Sequence, residues 1–291
     1  MSEIWTVGRL LTWMTQDLRA LAIGSPRLDA ELLISHALGC DRVRLYMDLQ
    51  RPLLRGELDS VRALLVRRRR REPVAYILGE KEFYRHVFEI TRDVLVPRPE
   101  TEVLVDRALE ALPASAERAL DLCTGSGVIA ITLALQRPGL LVDATDLSEA
   151  ALAVAALNTA RHGLRERVSL YHGDLFAALP LRAPYALIVT NPPYVADAEW
   201  TLLAPEITAH EPRMALLAGG DGLCVLRRIC DAAADWLQPG GALLCEVGRG
   251  QAAVVAQRLR ADARFERIAV HKDLAGVERV VEARVGDHAS A

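Results

Sequence analysis

The chain has 291 residues, 51 % hydrophobic and 25 % charged, with a formal net charge of −3. That length suits one large domain with a smaller companion, and a balance this close to neutral excludes a generic nucleic-acid binder. The five cysteines form no Cys-x-x-Cys pair, which argues against a zinc site or a disulfide framework, and the lack of a leader or an 18-residue apolar span leads us to expect a cytoplasmic protein.

From about Trp5 to Arg71 the pattern is helical. Leu10, Leu11, Met14, Leu18 and Leu21 make one apolar stripe, and Leu28, Leu32, Leu33, Ile34 and Leu38 make a second. Ser25-Pro26 reads as a helix start and Gly39 as its end. Residues 1–90 carry 15 Lys and Arg against 12 Asp and Glu, which leaves the remainder acidic. The run Arg67 to Arg71 spreads around a helix, so its plain reading is a solvated helix end. The other reading is a docking surface. Next, Val74–Leu78 and Phe83–Ile90, separated by Gly79-Glu80-Lys81-Glu82, read as a β-hairpin. These signals divide the chain into a helical bundle at 1–72, a hairpin linker at 73–99 and an α/β domain at 100–291.

Past Glu100, strands and helices alternate, which implies a parallel sheet covered on both faces. Strands are expected near 118–122, 140–145, 167–172, 185–190, 242–247, 265–270 and 277–285, the last two as an antiparallel edge. The first strand runs into Cys123-Thr124-Gly125-Ser126-Gly127 and an apolar helix, the entrance where nucleotides bind because glycine lets backbone approach a ligand. The second strand ends at Asp146, a carboxylate placed to accept from ribose hydroxyls. A later apolar strand, Ala186–Thr190, ends at Asn191-Pro192-Pro193-Tyr194. Two prolines stiffen that turn and remove two backbone donors, leaving carbonyls free beside an amide and an aromatic ring. Such a ledge suits a planar NH2 group. A dinucleotide dehydrogenase has no use for it, and this chain has Ala130 where the third glycine of that fingerprint would stand.

Asn-Pro-Pro-Tyr after a strand resembles the signature of S-adenosylmethionine-dependent methyltransferases that modify planar amide or amino nitrogens. Ser25 to Leu33, Arg71 to Gly79, Leu95 to Thr101 and Asp273 to Val281 widen the likeness to nearly the whole chain. It resembles the peptide chain release factor glutamine N5-methyltransferases. The resemblance implies a Rossmann-like class I methyltransferase sheet of seven strands, a small N-terminal helical bundle that recognises the release factor, and methylation of the glutamine in its Gly-Gly-Gln loop. S-adenosylmethionine is the implied cofactor. Neither a metal, nor direct nucleic-acid contact, nor a membrane is implied, and a monomer is expected. Within the site, Asn191 and the Pro192 carbonyl would each accept an N–H of the substrate amide, Pro193 would hold the turn, and Tyr194 would stack on the amide plane. Cys123 to Gly127, Asp146 and Asn191 would hold the cofactor, with Asp174 and Leu175 at its adenine, where many family members have an aromatic. Arg98 and Glu100 are candidates to lie over the pocket. Glu211-Pro212-Arg213 matches a family segment without an evident role.

Related readings differ in substrate. Glutamine methyltransferases of a large-subunit ribosomal protein share Asn-Pro-Pro-Tyr and often Asp-Leu-Cys-Thr-Gly-Ser-Gly, as at 121–127. Arg98-Pro99-Glu100-Thr101 and Ser25 to Glu31 favour the release-factor group. An adenine-N6 DNA methyltransferase would need a recognition domain and a basic groove, and neither shows. A non-catalytic binding module would be expected to have a damaged ledge, whereas 191–194 is intact.

Overall fold

The computed structural model describes residues 4–180 and 184–287, so the ends of the expected 1–72 and 100–291 segments lie outside the described residues. Its contacts fall into two units, Met1–Gly79 with Ala204–His210, and Glu80–Leu203 with Glu211–Ala291. The chain therefore divides at Gly79, and not at the expected 72 and 99.

The first unit contains α1 (Val7–Ala20), α2 (Pro26–Leu38), α3 (Arg42–Met47), α4 (Arg55–Arg69) and α5 (Val74–Leu78). Thr6 caps α1, its Oγ1 accepting from Arg9 N at 3.3 Å. Helix α2 starts at Pro26 and stops where Gly39 turns left-handed at φ 62°. The α1 stripe is buried at Leu10, Leu11, Met14 and Leu18, while Leu21 sits past the helix end and is exposed. The stripe read for α2 is shifted: Leu28 faces solvent, and the buried face carries Asp29 and Glu31 beside Ala30, Leu33 and Ile34. Each acid meets arginine. Asp29 accepts from Arg68 Nε at 2.8 Å, and Glu31 accepts from Arg27 Nε at 2.7 Å and Arg42 Nη2 at 2.6 Å.

Those pairs also correct the reading of the arginine run. Arg67 pairs with Glu72 and donates to the Tyr76 and Ile77 carbonyls. Arg68 is buried and bonds Asp29 and Glu206, Arg69 pairs with Asp17, and Arg71 reaches Glu206 and Leu21 O. Four of the five arginines are thus tied within the helical unit, while Arg69 and Arg70 remain exposed, as a solvated helix end requires. The expected strand at Val74–Leu78 is likewise helical. Pro73 starts α5, Ile77 joins the helical core with Val74 and Leu78 packed against it, and Arg67 holds the Tyr76 and Ile77 carbonyls, so packing overrides the β-branched composition.

The second unit opens with a hairpin, β1 (Glu80–Phe83) and β2 (His86–Glu89), followed by α6 (Glu100–Ala111). The hairpin turns at Tyr84 and Arg85, both at positive φ (50° and 65°), rather than at 79–82. Ties to α6 hold that strained turn: Tyr84 N donates to Glu102 at 2.8 Å and its hydroxyl to Asp106 at 2.8 Å. Then come β3 (Arg118–Leu122), α7 (Val128–Gln136), β4 (Leu141–Asp146), α8 (Glu149–Arg161), β5 (Val168–His172) and β6 (Tyr185–Thr190). The chain leaves this unit for α9 (Pro205–His210) in the first, re-enters at Glu211, and finishes with α10 (Cys224–Ala233), β7 (Leu237–Glu246), α11 (Ala252–Arg260), β8 (Phe265–Lys272) and β9 (Glu278–Val285). The seven-stranded sheet runs β5-β4-β3-β6-β7-β9-β8, parallel except for β9, which is antiparallel to both β7 and β8. Each expected strand of this sheet is present. The strand order reverses between β3 and β6, and that switch point fixes where a ligand can sit.

Candidate active site

Register sets the site. Leu122 at the end of β3 pairs with Thr145 on β4 and with Thr190 on β6, so the next residues, Cys123, Asp146 and Asn191, emerge at one edge of the sheet. A cavity of about 270 Å³ opens there. Cys123, Thr124, Gly125, Ser126, Asp146, Asp174, Leu175, Asn191 and Pro193 all line it. Gly127, Pro192 and Tyr194, also named from the sequence, do not.

The glycine turn is built for close approach. Cys123, Gly125 and Gly127 all have positive φ (59°, 56° and 82°), a conformation that strains the cysteine. A Cβ on Gly127 would stand 3.0 Å from Ile131 and 3.3 Å from Ala155, so its role is packing α7 on α8, whereas Gly125 faces open space. Burial, with the Asp146 and Asp121 carboxylates nearby, pushes the Cys123 thiol well up, so it is no thiolate.

Asp146 Oδ2 accepts from Gly125 N at 2.8 Å and Oδ1 from Ser148 N at 2.9 Å. Each oxygen keeps a lone pair for a further donor. Burial raises this carboxyl above its ordinary value despite those bonds. At the other wall Asp174 is paired with Arg228 at 2.7 Å, and Arg228 also lines the cavity, a residue the sequence did not single out. Leu175 is buried at φ 51°.

The opposite rim is tied down by the segment that lacked a role. Glu211 is buried, its Oε1 accepting from Arg98 at 2.6 Å and its Oε2 from Val96 N at 3.2 Å. It thereby joins the 93–97 strand of chain, which supplies Val94, Leu95 and Pro97 to the lining, to the stretch that supplies Pro212, Met214, Ala215 and Leu217. Arg98 is thus a structural partner beside the mouth.

Asn191 Nδ2 donates to Thr101 Oγ1 at 3.2 Å, and both residues line the cavity. With its nitrogen so engaged, the side-chain oxygen is left to accept. The Pro192 carbonyl accepts no backbone bond from the described residues. Tyr194 turns its hydroxyl toward Glu246 at 3.4 Å, and its own carbonyl accepts from Gln251 at 2.9 Å. Two buried acids lie behind the lining. Asp121 accepts from Thr124 Oγ1 at 2.7 Å and from Ala130 N at 3.2 Å, and burial pushes it up to about 7. Glu246 is likewise pushed up to about 7, by burial, against the pull of the Thr101 hydroxyl and the Arg279 charge. Both were missed, although each is a lone acid in an apolar strand, the signal that could have found it.

Residues 9–79 match the PrmC N-terminal domain, and residues 100–235 match the methyltransferase small domain. A release factor glutamine methyltransferase of Geobacter sulfurreducens is 43 % identical over 98 % of each chain. One of Cereibacter sphaeroides is 45 % identical over 92 % of this chain and 94 % of its own.

The chain belongs to the release factor glutamine methyltransferase family.

Among solved structures, a methyltransferase from Pyrococcus furiosus superposes with a TM-score of 0.52 at 18 % identity, over 68 % of this chain and 88 % of that one. The hMettl16 catalytic domain in complex with MAT2A 3′UTR hairpin 6 gives 0.55 at 16 % identity, over 70 % and 76 %. At such identities the likeness concerns the fold alone, and it confirms the class I methyltransferase sheet expected from the sequence. Family membership makes the chain a methyltransferase enzyme. No helix among the described residues is long and apolar enough to cross a membrane.

Proposed function

We propose that this enzyme transfers a methyl group from S-adenosylmethionine to the side-chain amide nitrogen of the Gly-Gly-Gln glutamine in a peptide chain release factor. The observation that carries the reading is Asn191, at the cavity edge of the sheet with its nitrogen tied back to Thr101 and its oxygen free. The names of the relatives supply the substrate class.

The residues present fit the cofactor. Gly125 leaves open space over the turn, and Asp146 keeps lone pairs for ribose hydroxyls. Arg228 and Asp174 flank the place for an adenine, over Leu175. When bound, the cofactor supplies an electrophilic sulfonium methyl. An amide nitrogen is a weak nucleophile because its lone pair is delocalised into the carbonyl. The Asn191 oxygen and the Pro192 carbonyl each accept one of its N–H bonds, which aims the nitrogen and stabilises the positive charge that grows on it. Holding both reactants in an attack geometry contributes about 7–11 kcal/mol. Tyr194 stiffens the ledge from behind. The helical unit, matched by the PrmC N-terminal domain, is the part we assign to recognition of the release factor.

Mass spectrometry after mixing the protein with S-adenosylmethionine and either a release factor or a large-subunit ribosomal protein tests the substrate. The ribosomal arm is included because Cys123 stands in the turn. Methyl on the ribosomal protein alone would overturn the reading. Asn191→Ala should keep the fold and cofactor affinity and lower kcat by roughly 10²–10³, the scale for one preorganised polar group. A wild-type rate in that variant would remove the ledge from the mechanism.

A further inference from the structure

Glu246 ends β7 with 1 % of its surface exposed, and its Oε2 has no hydrogen-bond partner among the described residues. Nothing in the proposed chemistry uses it. It lies behind the ledge, not in the cavity: Tyr194 turns its hydroxyl to Oε1 at 3.4 Å, and the Thr101 hydroxyl acts on the same carboxyl. Thr101 is itself buried and accepts from Asn191 Nδ2 at 3.2 Å. A threonine hydroxyl has one proton to give. Given to Glu246, that proton leaves the Thr101 oxygen as an acceptor, which only the NH2 end of Asn191 can satisfy. The amide then cannot flip, and its oxygen stays toward the cavity.

We infer that Glu246 is a positioning residue for the methyl transfer, taking the hydroxyls of Thr101 and Tyr194 and through Thr101 fixing which end of the Asn191 amide faces the substrate. The inference rests on the proposed reading of the ledge.

Its charge state matters. As a carboxylate Glu246 accepts from both hydroxyls, whereas the protonated acid offers a donor of its own and competes with one of them. The charged groups facing it are Glu100 on α6 and Arg279 on β9, with Arg279 also bonded to Asp273 at 3.2 Å, and the Tyr194 phenol faces it from the turn after β6. With the carboxyl pushed up to about 7, the ledge is set on the alkaline side of neutrality and loosened on the acid side.

The chain contains two asparagines, Asn158 and Asn191, so protein labelled with 15N-asparagine shows two side-chain NH2 pairs, assigned by Asn191→Ala. Asn158 is held by Glu89 O and Ser126 O and serves as the internal reference. In the wild type the Asn191 pair should move through a midpoint near 7. In Glu246→Gln, whose amide imitates the protonated acid at nearly the same shape, it should be fixed at the acid-side position. In parallel, kcat for a release factor should rise with pH in the wild type and lie flat near the acid-side value in Glu246→Gln. The drop at alkaline pH should be about 10- to 100-fold, smaller than for losing the Asn191 group itself, with KM and cofactor affinity little changed. Thr101→Val should reproduce the drop and Thr101→Ser restore the rate. An Asn191 pair indifferent to Glu246→Gln would overturn the inference, as would a wild-type kcat and pH profile in that variant. A wild-type enzyme that leaves the release factor unmethylated would instead overturn the proposed function, and the NMR arm would still decide the role of Glu246.

Discussion

In the helical unit the buried acids Asp29, Glu31 and Glu72 each meet an arginine at 2.6–2.8 Å. Around the cavity, Asp121 and Glu246 are buried as deeply and form no salt bridge among the described residues, meeting hydroxyls and a backbone N–H instead. Each also keeps one oxygen unpartnered, Oδ1 and Oε2. The opposite directions of their titration follow. Hydrogen bonds from Tyr46, Arg27 and Arg42 outweigh burial and hold Glu31 below its ordinary value, while burial prevails at Asp121 and Glu246. A paired buried acid fixes helices; an unpaired one is a strained group that a stable fold keeps only where it is used. Glu211, paired with Arg98 at the cavity mouth, belongs to the first kind although it sits in the second unit.

The largest effect expected from this contrast is at Arg68. Arg68→Met removes the buried guanidinium that Asp29 and Glu206 share, leaving Glu206 to Arg71, and should cost about 3–5 kcal/mol of stability. Adding Asp29→Asn should recover part of it, because a neutral amide is cheaper to bury. Urea unfolding followed through Trp5 and Trp13, which lie in the helical unit, measures both. A loss below about 1 kcal/mol would mean that the pairs there are ornamental and the contrast false.

Next is the pH dependence of stability. Asp121 rises from 3.8 and Glu246 from 4.5, each to about 7, so the folded state binds these protons more tightly than the unfolded chain. Their contribution is complete below pH 4 and is lost as pH climbs through 7. At about 1.4 kcal/mol for each tenfold gain in proton affinity on folding, Glu246 should remove about 3–4 kcal/mol between those limits and Asp121 about 4–5. Thermal or urea unfolding at pH 5 and pH 8 should show the decline, and Glu246→Gln should remove about half of it. A stability that rises over that interval would refute the assignment of both groups.

The smallest is at Asp146, the acid of intermediate character. Asp146→Ala should weaken S-adenosylmethionine binding by about 1.5–3 kcal/mol, the scale for a charged hydrogen-bonding group. Part of that loss comes from freeing the Gly125 and Ser148 N–H groups. Calorimetry with unchanged affinity would take Asp146 out of the site.

The strands of the sheet were legible because β3, β4, β6 and β7 are apolar runs punctuated by glycine or proline. Their ends were legible because polar residues follow buried ones at Cys123, Asp146 and Asn191. The rest depended on partners distant in sequence. Tyr84-Arg85 lacks the glycine or asparagine that announces a left-handed turn, and holds only through Glu102 and Asp106 on α6. The buried face of α2 includes two acids that hydrophobic periodicity counts as surface. Within Arg67 to Arg71 the burial of Arg68 and the pairing of Arg69 and Arg71 were hidden because nothing local reveals Asp17, Asp29 and Glu206 waiting for them. Thr101 and Glu246 lie 145 residues apart and meet only when α6 packs on β7.

The return of residues 204–210 to the helical unit bears on how the protein is made. A ribosome releases Arg68 and Arg71 long before Glu206, with β3 to β6 synthesised in between, an interval on the order of ten seconds at ordinary elongation rates. Through that interval the arginines lack this shared carboxylate, and Arg70 O lacks the His210 ring that later reaches it at 3.0 Å. The N-terminal helices therefore form before their last ionic tie is available, and a gene cut after Gly79 and fused elsewhere would lack that tie permanently.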